Sequence, residues 1–129
     1  MLCTVDPHAL CNTLLAATSK TLRWEWDDRF GCALAAFGAN RAQEARAWVC
    51  EATPEEWSSD NIGTAPERVQ RLAADIGLRS GQFLFTSEPS SDLMAYVAWW
   101  PWGDGKKISI RFAIDGASEA ELKGWFSLS

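Results

Sequence analysis

Four cysteines, a single histidine and two pairs of adjacent carboxylates are the residues in this chain of 129 whose types could do chemistry. A thiol next to an imidazole can act as a nucleophile, and His8 stands three residues before Cys11, a separation that puts two side chains side by side on a helix. No signature surrounds either residue, and a histidine in the first turn of a helix is most simply an exposed one. Zinc needs ligands gathered in a tetrahedron. Cys3, Cys11, Cys32 and Cys50 contain no C-x-x-C pair, so metal ligation would have to draw on irregular spacings. They are expected to be free thiols, mostly buried, because cysteine in a reducing compartment behaves as a small hydrophobe. General acid–base work needs two carboxylates converging on a cleft. Asp27 with Asp28 and Glu55 with Glu56 are neighbours in sequence, and neighbours on an extended chain point apart. Glycine-rich phosphate cradles are absent, and Gly103-Asp104-Gly105-Lys106 reads as a hairpin turn. The expectation is therefore no catalytic constellation, no metal and no cofactor.

The unusual features are charge and aromatics. Twelve basic and seventeen acidic residues give a formal charge of -5, and five acids with no intervening base (Glu51, Glu55, Glu56, Asp60 and Glu67) lie between Ala47 and Glu67. One segment thus matches the whole net charge. Nucleic-acid binding requires clustered Lys and Arg and is disfavoured by this balance. The group Lys106, Lys107 and Arg111 is read as a charged rim that keeps a sheet edge from aggregating. Eight tryptophans stand against one tyrosine, and Trp99-Trp100-Pro101-Trp102 is the densest run. Strand alternation sends Trp99 to one face and Trp100 with Trp102 to the other, and Pro101 suggests an edge or a bulge. Exposed aromatics beside charge are common ingredients of a protein-binding hot spot. The candidate partner-binding residues are Glu51, Glu55, Glu56, Trp57, Asp60, Trp100 and Trp102. The partner expected is another protein of basic character, such as a bacterial toxin that an immunity protein neutralises; the alternative partner is an effector held by a secretion chaperone. A different class of reading is a small-ligand-binding domain or enzyme whose pocket lies between helix and sheet.

These residues need elements to carry them. The length suits one domain over residues 1–129, and 47% apolar with 22% charged residues is an ordinary globular composition. The longest uncharged stretches are too short for the ~20 residues of a membrane helix, and Asp6 stands where a signal peptide would be basic. A cytoplasmic location is expected. Asp6-Pro7 reads as a helix start, with Leu10, Cys11, Leu14, Leu15 and Thr18 as its stripe. Strands follow through Leu22–Trp26 and Cys32–Phe37. Arg41–Ala52 fits either helix or strand, with the alternation of Ala45, Ala47 and Val49 favouring a strand slightly. A loop from Thr53 to Gly63, with one helical turn near Glu55–Trp57, leads to a capping box, Thr64 with Glu67, opening a helix that ends at Gly77. Strands at Gln82–Thr86, Leu93–Trp102 and Lys107–Asp115 and a second capping box, Ser118 with Glu121, complete the chain. The fold class expected is α+β: a mainly antiparallel sheet of five or six strands with an N-terminal, a central and a short C-terminal helix.

Overall fold

The computed structural model describes residues 24–28, 31–90 and 92–126, with the side chains of residues 52, 125 and 126 left aside. The expected helix after Pro7, together with Cys3, His8 and Cys11, lies outside the described residues. Six strands form one antiparallel sheet: β1 (Glu25–Asp27), β2 (Cys32–Gly38), β3 (Glu55–Ser58), β4 (Phe83–Thr86), β5 (Met94–Pro101) and β6 (Lys107–Asp115). Their spatial order is β1-β2-β6-β5-β4-β3. The helices are α1 (Ala42–Ala52), α2 (Glu67–Ile76) and α3 (Glu119–Phe126). The α+β fold with a mainly antiparallel sheet is as the periodicities predict.

Alternation divides the sheet into two faces with different covers. On one face Ala33, Ala35, Phe37, Phe85, Val97, Trp99, Ile108, Ile110 and Phe112 form the main core with Ala45 and Val49 of α1 and Leu122 of α3. The indole of Trp99 meets Phe37 and Phe85 edge-on, with centroids 5.6 and 6.0 Å away. The opposite face carries Leu84 and Met94, on which Val69, Leu72 and Ala73 of α2 pack with Ala65. Burying side chains of this size stabilises by roughly 1.5–3 kcal/mol each, so the two-sided cover is what makes the sheet rigid enough to hold a site.

Three local outcomes differ from the expectations. The ambiguous stretch Arg41–Ala52 is helical, the α-helix running over Ala42–Ala52 after a short 3-10 turn at Ala39–Arg41. Ala, Gln, Glu and Arg dominate the segment, all strong helix formers, and Ala45 and Val49, four residues apart, are the pair that is fully buried. The expected helical turn near Glu55 is instead strand β3, paired with β4 from Glu55↔Thr86 to Ser58↔Phe83. The Thr64 capping box does not form. Pro66 disfavours helical geometry at the residue before it, Ala65 is extended (φ -73, ψ 157), and α2 begins at Glu67 with Pro66 as its N-cap. The Thr64 hydroxyl donates back to the Asn61 carbonyl, and Glu67 pairs with Arg71. The second box has no proline in the way and does form: Glu121 N–H donates to Ser118 Oγ and Ser118 N–H to Glu121 Oε1, both 3.1 Å.

Two glycines carry backbone duties. Gly77 is left-handed (φ +72) and ends α2, with Leu78 N–H donating to the Ala73 carbonyl at 3.0 Å. Gly116 (φ +99) lets the chain pass close under Leu93 and the Asp92 carbonyl, which a Cβ would meet at 2.9 and 3.0 Å.

Candidate functional site

The acidic segment occupies one rim of the sheet. Glu51 is on the last turn of α1, Glu55 and Glu56 are on β3, Asp60 is in the turn that follows, and Glu67 opens α2; all five are exposed. Because β3 is an edge strand, Glu55 and Glu56 project to opposite faces of the sheet. Glu56 is paired with Arg46 of α1, whose guanidinium also lies 5.1 Å from the centroid of Phe83. Glu67 is paired with Arg71 at 2.7 Å. Exposed pairs of this kind are worth little to stability, in the range of about 0–1 kcal/mol.

The tryptophans fall into different environments. Trp57 is half-buried against the α2 cluster and donates its indole N–H to Thr86 Oγ1 at 3.0 Å, so it is a support beneath the acidic rim. Trp100 is half-buried on the α2 side of the sheet. Trp102 is 43% exposed; it donates to Ser109 Oγ at 2.6 Å, and Lys107 Nζ sits 5.2 Å from its ring. The sheet register places Ser58, Phe83, Trp99 and Ile110 at one level. The turn bearing Asp60 and the Trp100–Trp102 run therefore leave the sheet at the same end.

Pro101 sits on a central strand and yet disrupts no ladder. Trp102 N–H donates to the Lys107 carbonyl at 2.8 Å, so the backbone nitrogen of Pro101 faces the β4 side. There β4 begins at Phe83, opposite Trp99, and no acceptor is left wanting. β6 is likewise central, so Lys107 and Arg111 guard no sheet edge.

The open edge of β3 is closed from outside by one side chain. Asn61 accepts from Ser58 N–H through Oδ1 (2.7 Å) and donates through Nδ2 to the Glu56 carbonyl (3.1 Å), while its own N–H donates to the Ser58 carbonyl (3.2 Å). Three outward-facing backbone groups of the edge are thereby occupied. A partner arriving here meets side chains instead of a free strand.

The residues that sequence reasoning missed lie elsewhere. Between the C-terminal end of α2 and the sheet is a pocket of about 490 Å³ lined by Cys32, Asp75, Ile76, Tyr96, Ala98, Trp100 and Arg111. Tyr96, Ala98 and Trp100 alternate large, small, large on one face of β5, so Ala98 is the floor between two rings. The only sequence sign was this alternation, which is indistinguishable from core packing until α2 is placed. Arg111 Nε is 4.0 Å from Asp27 Oδ2 across β1, β2 and β6. Burial pushes the Cys32 thiol up to about 11; Arg111 opposes the rise, and Asp27 and Glu119 add to it. Burial likewise raises the Tyr96 phenol to about 12, with Cys32, Asp115 and Asp75 adding to the effect. Neither group is poised as a base or nucleophile near neutral pH, because both stay protonated.

A second polar cluster is structural. Arg68 donates to Asp115 Oδ2 (2.7 Å) and to the carbonyls of Pro89, Asp92 and Asp115 (3.1, 2.9 and 3.2 Å). It ties α2 to the end of β6 and to the β4–β5 connection. Among the described residues no group of three His, Cys, Asp or Glu is placed to hold a metal ion, and no described helix is long and apolar enough to cross a membrane. Cys32 and Cys50 are free thiols. No protein-family model, curated protein or solved structure matches the chain.

Proposed function

We propose that this chain is a non-catalytic binding domain that masks a basic protein partner, in the manner of an immunity protein that neutralises a toxin. The observation that supports this reading is the placement of the acids between Glu51 and Glu67: all are exposed, Glu55 and Glu56 lie on the edge strand β3, and Asp60 is in the turn that follows it. Charge displayed in this way steers a basic partner into encounter and fixes its orientation. Trp102, exposed at the end of the sheet where Asp60 also projects, supplies an amphipathic ring beside the charge, of the kind that anchors interfaces. The test is an affinity titration against the protein encoded by the adjacent reading frame. The affinity is expected to fall steeply between low and high salt, because exposed charges are screened beyond a Debye length of ~8 Å at physiological ionic strength. An affinity indifferent to salt removes the electrostatic basis of the reading.

A second reading, a small-ligand-binding domain, is favoured by one observation: the pocket between α2 and the sheet is of ligand size and mixes apolar walls with a few polar groups.

A further inference from the structure

We infer that the pocket under α2 binds a small uncharged aromatic molecule, seated on Ala98 between the rings of Tyr96 and Trp100. This rests on the second reading above and names its ligand class. The shape is set by β5 and its neighbour. Tyr96, Ala98 and Trp100 share one strand face, so the two rings stand roughly 13 Å apart along the strand, and between them Ala98 offers only a methyl. Across the ladder, Ala113 stands opposite Tyr96 and Ser109 opposite Trp100. Both are small, so β6 does not fill the space beside the rings. One van der Waals contact of about 3.5–4 Å at each ring leaves roughly 5–6 Å for the heavy atoms of a ligand, the breadth of one six-membered ring with a short substituent. The charge of the ligand follows from the lining. Among the described lining residues Asp75 and Arg111 are the formal charges, one of each sign, and they balance. Each also has opposite charge near it in the protein: Arg111 faces Asp27 at 4.0 Å, and Asp75 shares a second, smaller groove with Arg68 and Arg71. The other polar walls are neutral, because burial keeps the Cys32 thiol and the Tyr96 phenol protonated at neutral pH. An ion of either sign would lose hydration here and compete with a protein charge for its partner, which is costly. An uncharged ring meets no such cost, and its contacts with Tyr96 and Trp100 add to the area it buries.

The experiment is a titration of the full, isotope-labelled chain with phenethyl alcohol, followed by amide and indole NMR shifts. Phenethylammonium and phenylacetate serve as ions of similar body, and cyclohexylethanol as the saturated counterpart. Phenethyl alcohol is expected to give saturable shifts at Ile76, Ala98 and the Trp100 indole. Each ion should bind at least about fivefold more weakly, and cyclohexylethanol at least about threefold more weakly. Ala98→Leu fills the floor and should abolish the shifts. Should that variant fail to fold, Trp100→Leu, at a half-buried position, decides instead and should weaken phenethyl alcohol at least about threefold. If either ion or cyclohexylethanol binds the same amides as tightly, or if the folded variants leave the affinity unchanged, the ligand class is wrong although the chain still takes ligands. If no probe produces saturable shifts at the pocket, this proposal and the ligand-binding reading fall together.

Discussion

Cys32 and Tyr96 are the described residues whose titration is clearly altered by their surroundings. Cys32 is 4% exposed on β2, and burial lifts its thiol from an ordinary value of 9.0 to about 11. A group that is neutral when protonated, with a folded pKa above its unfolded one, favours the folded state only while the unfolded chain also keeps the proton. Stability is thus unaffected by this thiol below about pH 9. It falls as pH rises from there toward about 11, by at most roughly 1.4 kcal/mol per pH unit. Tyr96 acts in the same direction through a window about one unit higher, from 10.0 to about 12. Denaturant unfolding at about pH 8 and about pH 10 should therefore show a decline that is shallower in Cys32→Ala than in the parent chain. Equal slopes in the two proteins would show that Cys32 is not shielded as described. Cys32 is buried, as expected of a cysteine that behaves as a small hydrophobe, and a thiol held protonated at neutral pH is a poor nucleophile.

At the scale of elements, β3 carries the account, and its protection is specific. Edge strands with free backbone groups pair with other chains, and Asn61 occupies three such groups on β3. Asn61→Ala keeps the backbone bond to Ser58 but exposes Ser58 N–H and the Glu56 carbonyl. The variant is expected to self-associate more strongly with concentration than the parent chain in sedimentation velocity; an unchanged sedimentation profile would show that the acids alone guard the edge. This device was not legible beforehand, and neither was β3. Four residues with a single aromatic offer too short a period to read, and the pairing partner β4 lies 25 residues further on, counting Ser58 to Phe83. Where the signal was local, it held: the Trp102–Lys107 turn and the Ser118 box follow from residues within five positions of one another. The Thr64 box failed for an equally local reason, the proline at position 66, which disfavours the helical geometry that the box requires of Ala65. Arg41–Ala52 was ambiguous because alanine satisfies both periods; packing of Ala45 and Val49 against the sheet decided it.

For the whole molecule, two distinct surfaces flank α2. On its β3 side runs the acidic rim, and on its other side the pocket opens over β5 and β6. The acids could be located from sequence because a charge run needs no tertiary contact to be seen. The pocket could not, since Cys32, Asp75, Tyr96 and Arg111 come from four separate elements. The environments of the tryptophans were only half legible: alternation separates Trp99 from Trp100 and Trp102 but does not say which face is the core, and that Trp99 is buried, Trp102 exposed and Trp57 half-buried against the α2 cluster follows only from the packed sheet. The rim as the meeting surface for a basic protein is the central claim. It is tested most directly by comparing two charge-reversed triples of equal net charge for affinity to the adjacent-frame protein. One is Glu55→Lys, Glu56→Lys and Asp60→Lys on the rim, and the other is Glu25→Lys, Glu44→Lys and Glu88→Lys on other surfaces. The account predicts a loss of roughly tenfold to a hundredfold for the rim triple and less than about threefold for the other. Equal losses in both, or none in the rim triple, would contradict it.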